Sequence, residues 1–313
     1  NTRILRILEQ MPSLKRLHLT HRNWNIAPRD DEWEAVFRSP FLARIEELHL
    51  PDQLIGPAAA AHLARAPHMR QLVRLNLSGN RIGAAGAIEL AQSVRLGNLI
   101  DLDLTGNRIR DTGLKALAQS PTLAHVRRLR LSENELGGPG VRALLESGCA
   151  SLQQLTLGKN YIGNSTVTAL VESELLGQLT HLELGEDLGN ESLAALAATP
   201  CSGRLQELDL CSSRITDTGI VALAETQQLS SLRRLRIASS RVHEAGILTL
   251  LASPLGMRIR ELELPLSQLG PTTVERLLAH PQLQNLRRFR VIVDASPEWR
   301  NELRRRHAPR LEY

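Results

Sequence analysis

The chain has 313 residues, of which 42% are hydrophobic and 23% charged, and its formal net charge is +5. This is the composition of a folded globular chain, and no apolar run approaches the roughly 18 residues that a membrane-spanning helix needs. The three cysteines, Cys149, Cys201 and Cys211, are odd in number and far apart, which argues against a disulfide framework and for ordinary thiols.

In chain order, the pattern LxxLxL opens at Leu14, Ile45, Leu72, Leu99, Val126, Leu152, Leu179, Leu205, Leu232, Ile259 and Leu286. The first step is 31 residues and every later step is 26 or 27. A fixed period of that size predicts a solenoid, in which each unit buries its apolar side only against its neighbours. The expected organisation is one repeat domain over 1–313: a longer first repeat over 1–44, regular repeats over 45–285, and a last strand with a capping helix over 286–313. Because the chain begins at Asn1 rather than Met, a preceding segment is expected.

Aromatic residues mark the ends. Trp24, Trp33, Phe37 and Phe41 fall in the first step, Phe289, Trp299 and Tyr313 in the last unit, and only Tyr161 between them. Bulky side chains there are expected to seal the exposed core, the alternative for Trp24 and Trp33 being a binding hot spot.

Residues 99–121 show the order of elements within a repeat. Leu102 and Leu104 alternate with polar neighbours, as a half-buried strand should. The period then changes: Ile109, Leu114, Leu117 and Ala118 lie at helical spacing, with Asp111 or Thr112 as the expected N-cap. A proline five residues before the next opening, at Pro40, Pro67, Pro121, Pro200, Pro254 and Pro281, is expected to stop the helix. Gly86, Gly113, Gly140, Gly219 and Gly246 share one register, where a tight loop-to-helix turn is expected. From Leu286 onward eight arginines face four carboxylates, so much of the excess charge sits at the end, where 298–306 reads as a lid helix with a solvated basic side.

Leu72 to Ala91, LVRLNLSGNRIGAAGAIELA, resembles the leucine-rich repeats of the ribonuclease-inhibitor-like class, whose pattern is LxxLxLxxN followed by an apolar residue, Gly and the leucines of a helix. Leu205 to Ala224, LQELDLCSSRITDTGIVALA, is similar to the cysteine-containing variant of F-box-type proteins. The resemblance covers nearly the whole chain. It implies an α/β right-handed horseshoe with parallel strands on the concave side and helices on the convex side. The phrases SGNRIG and TGNRIR and the ending RNELRRRHAPRLEY are similar to bacterial, planctomycete-type repeat proteins, which implies a companion domain ahead of the repeats. In the family an asparagine bridges adjacent turns. It is kept at Asn80, Asn107, Asn134 and Asn160, then becomes Asp187, Ser213, Ser240, Ser267 and Asp294, so the second half is expected to be looser.

Because side chains alternate along a strand, the residues two and four places after each opening are expected on the exposed strand face. Among them, Glu207 and Asp209, Arg234 and Arg236, Glu261 and Glu263, and Arg288 and Arg290 alternate in sign from strand to strand and are expected to pair with one another. Arg128 and Arg130 have acidic neighbours on one side only and meet Gln154 and Thr156 on the other, so their charge is expected to stay uncompensated. With His181 and Glu183 they make the candidate partner-binding bay, its floor opened by Gly158 and Gly185.

The expected function is therefore a noncatalytic protein–protein interaction scaffold, monomeric and cytoplasmic, with no cofactor and with nucleic acid not expected as a partner. No GxSxG, P-loop, HExxH or paired CxxC is present, and His18, His49, Glu47 and His21 match no metal-ligand spacing. The alternatives are a GTPase regulator of the Ran-GTPase-activator-like repeat class, whose acidic tail is replaced here by arginines, and a ribonuclease-inhibitor-like or RNA-associated role.

Overall fold

The computed structural model describes residues 8, 10–19, 30–185, 188–210, 214–237, 241–265, 276–277, 279–292 and 311–312. It is an α/β chain that resolves into two compact units, Asn1–Tyr161 and Ile162–Tyr313. In the first unit the strands are β1 (Arg16–His18), β2 (Glu47–His49), β3 (Arg74–Asn76), β4 (Asp101–Asp103), β5 (Arg128–Arg130) and β6 (Gln154–Thr156). They alternate with helices α1 (Asp30–Arg38), α2 (Pro57–Ala64), α3 (Gly83–Ala91), α4 (Arg110–Ala118) and α5 (Gly138–Glu146). Strands pair in parallel and in chain order, each residue opposite its equivalent one repeat later, as Leu48 is to Leu75 and Leu75 to Leu102.

The second unit repeats the scheme. Its strands are β7 (His181–Glu183), β8 (Glu207–Asp209), β9 (Arg234–Arg236), β10 (Glu261–Pro265), β11 (Arg288–Ile292) and β12 (Leu311–Glu312). Its helices are α6 (Asn164–Glu172), α7 (Asn190–Ala198), α8 (Asp217–Glu225), α9 (Glu244–Ala252) and the short α10 (Pro254–Arg258). The twelfth strand, parallel to β11, has no LxxLxL signal and was not legible as a repeat.

The core follows from the two periods. In β2 to β8 the middle leucine and the leucine two places after it are buried, as with Leu102, Leu104, Leu129 and Leu131, at 1% exposure or less. Helix α4 adds Leu114, Leu117 and Ala118 from one side. At the start of the chain Trp33, Phe37 and Phe41 are buried, and the rings of Trp33 and Phe37 stack with centroids 5.4 Å apart. A Trp33 that is 3% exposed seals the core and is not available as a hot spot. Phe289 is buried as well, whereas Tyr161 is exposed. Trp24, Trp299, Tyr313 and the expected lid helix at 298–306 lie outside the described residues.

The asparagines of the first unit knit its turns together. Asn134 Oδ1 accepts from the amides of Asn107 (3.1 Å) and Ile109 (3.3 Å), while Nδ2 donates to the carbonyls of Leu104 (2.8 Å) and Leu131 (3.0 Å). Asn80 and Asn160 make the same reach, and all three are 4% exposed or less. The substituted positions Asp187, Ser213, Ser240, Ser267 and Asp294 lie outside the described residues.

Three local expectations need correction. Asp111 is not an N-cap: α4 starts one residue earlier, and Asp111 Oδ1 instead accepts from the amide of Gly137 (2.8 Å), which caps the next helix. The same cross-turn bond recurs in the second unit, where the amides of Gly189, Thr216 and His243 donate to Oδ1 of Asn164 (3.1 Å), Asn190 (3.0 Å) and Asp217 (2.7 Å). The prolines do more than stop a helix. Pro40, Pro121, Pro200, Pro254 and Pro281 each open a second short helical turn, where a missing amide costs nothing. The glycines at 113, 140 and 246 lie inside helices without positive φ; a Cβ on Gly140 would meet Asp111 Oδ1 at 2.5 Å and Asp111 Cα at 2.9 Å. Close helix packing, rather than turn geometry, requires them.

Candidate protein-interaction face

Each strand presents its first and third residues away from the leucine core, in the half-buried, buried, half-buried pattern seen in β4, β5, β6 and β7. Opposite charges then meet across strands about 4.8 Å apart. In the first unit Glu47 lies between Arg16 (3.0 Å) and Arg74, with which it makes a short ion pair. His49 Nε2 is 3.8 Å from the same carboxylate, and the rings of His18 and His49 are 5.4 Å apart. Among the described residues no three His, Cys, Asp or Glu side chains come together as a metal site, and His21 lies outside them.

Arg128 and Arg130 behave differently from the expectation. Both turn to one carboxylate: Arg128 Nε lies 2.8 Å from Asp101 Oδ2, and Arg130 Nη1 lies 2.6 Å from Asp101 Oδ1. Asp103, directly opposite Arg130, accepts from the amide of Thr105 (3.0 Å) instead. The charge is therefore shared out, one anion between two cations, rather than uncompensated. On the other side the register partners on β6 are Gln154 and Thr156, which offer no charge. Gly158 does not open the floor, for it is buried and its carbonyl accepts from the amide of Glu133 (2.9 Å); Gly185 is buried too.

The bay read from sequence takes Arg128, Arg130, Gln154 and Thr156 from the first unit and His181 and Glu183 from the second. In the second unit His181 Nε2 lies 3.5 Å from Glu207, and Thr180 Oγ1 is 2.9 Å from its Nδ1. Burial holds the His181 imidazole below its ordinary value of 6.5; Glu207 pulls the other way, and Arg234 adds to the lowering. The neighbouring charges form a ladder. Arg234 donates to Glu207 and Glu261, both at 2.7 Å, and Arg236 bridges Asp209 and Glu263, the latter at 3.0 Å. Arg290 reaches Glu263 at 3.6 Å, and Arg288 stands opposite Glu261. Hydrogen bonding by Arg234 holds the Glu261 carboxyl below its ordinary value of 4.5. A cleft of about 250 Å³ lies over this ladder.

Sequence reasoning missed the residues one place after each opening. In the second unit Arg233, Arg260 and Arg287 occupy that place and line a neighbouring cleft of about 360 Å³. A strict alternation puts them on the buried side with the leucines. The amides of Arg260 and Glu261 instead share one carbonyl, that of Arg233 (2.8 and 3.0 Å), so the period of two begins only after this point.

This alternation of parallel strands and helices is like that of leucine-rich repeats. The leucine-rich repeat family matches residues 68–91, 98–118, 122–145 and 205–224, and the other strands share the register of these segments. No curated protein matches the chain. Among solved structures, the chain is 20% identical to one chain of the Rad7 and Elc1 complex of yeast, with a TM-score of 0.58 over 83% of this chain and 65% of that one. Internalin C2 of Listeria monocytogenes is 21% identical over 71% of this chain and 81% of its own, with a TM-score of 0.48. No helix among the described residues is long and apolar enough to cross a membrane.

Proposed function

We propose that this chain is a noncatalytic scaffold that binds another protein through its strand faces, each unit by its own: Arg128, Arg130, Gln154 and Thr156 on the first, His181 and Glu183 on the second. The observation that carries the reading is the arginine pair on β5. Two guanidiniums share the single carboxylate of Asp101, and the strand on their other side carries no charge at the paired positions Gln154 and Thr156. Such forks suit the carboxylates and hydroxyls of a protein surface. Leucine-rich repeats typically mediate protein–protein interaction, and the yeast chain that shares the fold was solved in a two-protein complex, which supports the same class of role.

The 26–27-residue step that follows the longer first one supports a single repeat domain over 1–313, and the likeness of Leu72 to Ala91 to the pattern LxxLxLxxN with its following Gly and leucines supports the ribonuclease-inhibitor-like subclass. A monomeric, cytoplasmic protein is part of the same proposal. The test is affinity capture from the source cells: the variant Arg128→Glu with Arg130→Glu loses the partner that the wild type retains. Unaltered capture by a folded double variant overturns the assignment of the face.

A further inference from the structure

We propose that Arg233, Arg260 and Arg287 form an anion-recognition strip that takes a phosphate monoester carried on an exposed segment of a partner protein. The proposal rests on the interaction-scaffold reading and assigns a partner chemistry to a second place on the chain.

The three arginines stand on successive turns. The amide of Arg260 donates to the carbonyl of Arg233, and the amide of Arg287 to that of Arg260, both at 2.8 Å. Their Cα atoms therefore repeat at about the spacing of neighbouring parallel strands, near 4.8 Å. Arg233 and Arg287 are exposed and Arg260 is half-buried. Among the described residues their side-chain hydrogen bonds go to backbone: Arg233 Nη1 to the carbonyls of Ser230 (3.1 Å) and Leu232 (2.9 Å), and Arg260 Nη1 to that of Met257 (3.4 Å). Among the described residues no carboxylate lies within ion-pair distance of any of the three.

This column differs from the two beside it in the second unit. In the adjacent column the order is Glu207, Arg234, Glu261, Arg288, and the next runs Asp209, Arg236, Glu263, Arg290, so that anions and cations alternate. In the first unit, at the same register as the strip, Lys15 pairs with Glu46 at 2.8 Å. Like charges on adjacent strands are destabilising. The two carboxylates that share the cleft with the strip, Glu207 and Glu261, are both engaged at 2.7 Å by Arg234. Three guanidiniums without an ion pair among the described residues, of which Arg287 contributes weakly to lowering the Glu261 carboxyl, thus border an open cleft of about 360 Å³.

The spacing selects the ligand. A planar carboxylate is satisfied by one bidentate fork, whereas a phosphate monoester carries a charge of about −1.5 to −2 and three acceptor oxygens that take donors from several directions. Guanidiniums on long side chains about 4.8 Å apart can converge on one such group, which is how arginine clusters recognise phosphorylated segments.

The test is a binding titration of the full chain with a peptide library fixed on a central phosphoserine, run beside the unphosphorylated library, inorganic phosphate and poly(U) RNA. The proposal expects the phosphorylated library to bind at least about tenfold tighter than the unphosphorylated one, with inorganic phosphate competing, and Arg260→Gln to remove about tenfold of that affinity. Arg127→Gln, at the same register in the first unit, leaves it unchanged. Circular dichroism melts of both variants establish that they are folded, and Arg287→Gln, at a more exposed position, repeats the measurement should Arg260→Gln unfold. Equal binding of the two libraries, absence of binding, or tight binding of poly(U) alone that falls steeply with salt overturns it. Failure here together with a partner capture that still depends on Arg128 and Arg130 removes the strip and leaves the scaffold reading standing.

Discussion

Replacing Asn134 by alanine removes a side chain that serves five backbone groups, of which the carbonyl of Ser132 (3.0 Å) keeps the amide of Gly106 (2.9 Å), and the structure says which of the others suffer. The carbonyl of Leu104 keeps the Nδ2 donor of Asn107 (3.0 Å), and that of Leu131 keeps the Nδ2 donor of Asn160 (3.0 Å). The amides of Asn107 and Ile109 have no such reserve, since Asn134 Oδ1 is the acceptor both of them use. Each buried amide left without a partner costs about 1–3 kcal/mol, so the pair predicts a loss of about 2–6 kcal/mol. An exposed control, Asn98→Ala, gives up one bond to the carbonyl of Arg70 (2.9 Å) and should stay within about 0.5 kcal/mol of wild type. Urea unfolding gives the magnitude, and amide hydrogen exchange gives the place: Asn107 and Ile109 should exchange faster in Asn134→Ala. A loss below about 1 kcal/mol with unchanged exchange at those two amides refutes the ladder as a stabilising device.

Three further outcomes follow from the same structure. Gly140→Ala sets a Cβ against Asp111 and should cost about 1–3 kcal/mol in urea unfolding, whereas Gly97→Ala, whose nearest foreign atom would be 3.9 Å away, should be near neutral. Arg236→Ala removes the bridge between Asp209 and Glu263, whose side chains are 7% and 8% exposed; because Glu263 keeps Arg290 at 3.6 Å and Arg236 has about a third of its own side chain in water, the loss should be about 1–3 kcal/mol, below that of a fully buried pair, and Arg236→Ala melting with the wild type contradicts it. His181 has a folded-state value held below 6.5, so the unfolded chain binds the proton more readily. Its contribution to stability is complete above pH 6.5 and is lost as the pH falls through the lowered value. Stability measured against pH should decline less across that window in His181→Gln than in wild type, and parallel curves exclude the effect.

The sequence made the strands and helices legible because two periods alternate without interruption, as between Leu102 and Leu117. It made the exposed rows legible for the same reason, down to the pairing of Arg234 with Glu207 and Glu261. What stayed hidden depends on rotamer and register. Arg128 has an acidic register partner, Asp101, but so has Arg130 in Asp103, and only side-chain geometry reveals that both choose Asp101. Asp111 looks like a helix cap because its true partner, Gly137, is 26 residues away in sequence. Arg233, Arg260 and Arg287 were invisible because a shared carbonyl suspends the period of two at their position. Twelve strands were found where eleven openings predicted eleven, since the last pairs through Leu311 and Glu312 without the repeat's leucines.

The central claim is that partners are read by the strand face and not by the helices. It is tested most directly by capturing binding proteins from source-cell lysate on wild type, on Arg128→Glu with Arg130→Glu, and on Arg142→Glu, an exposed position on α5. With all three shown to be folded by their melting curves, the account predicts that the partner is retained by wild type and by Arg142→Glu and lost from the β5 double variant. Retention by the double variant, or loss from Arg142→Glu alone, contradicts it.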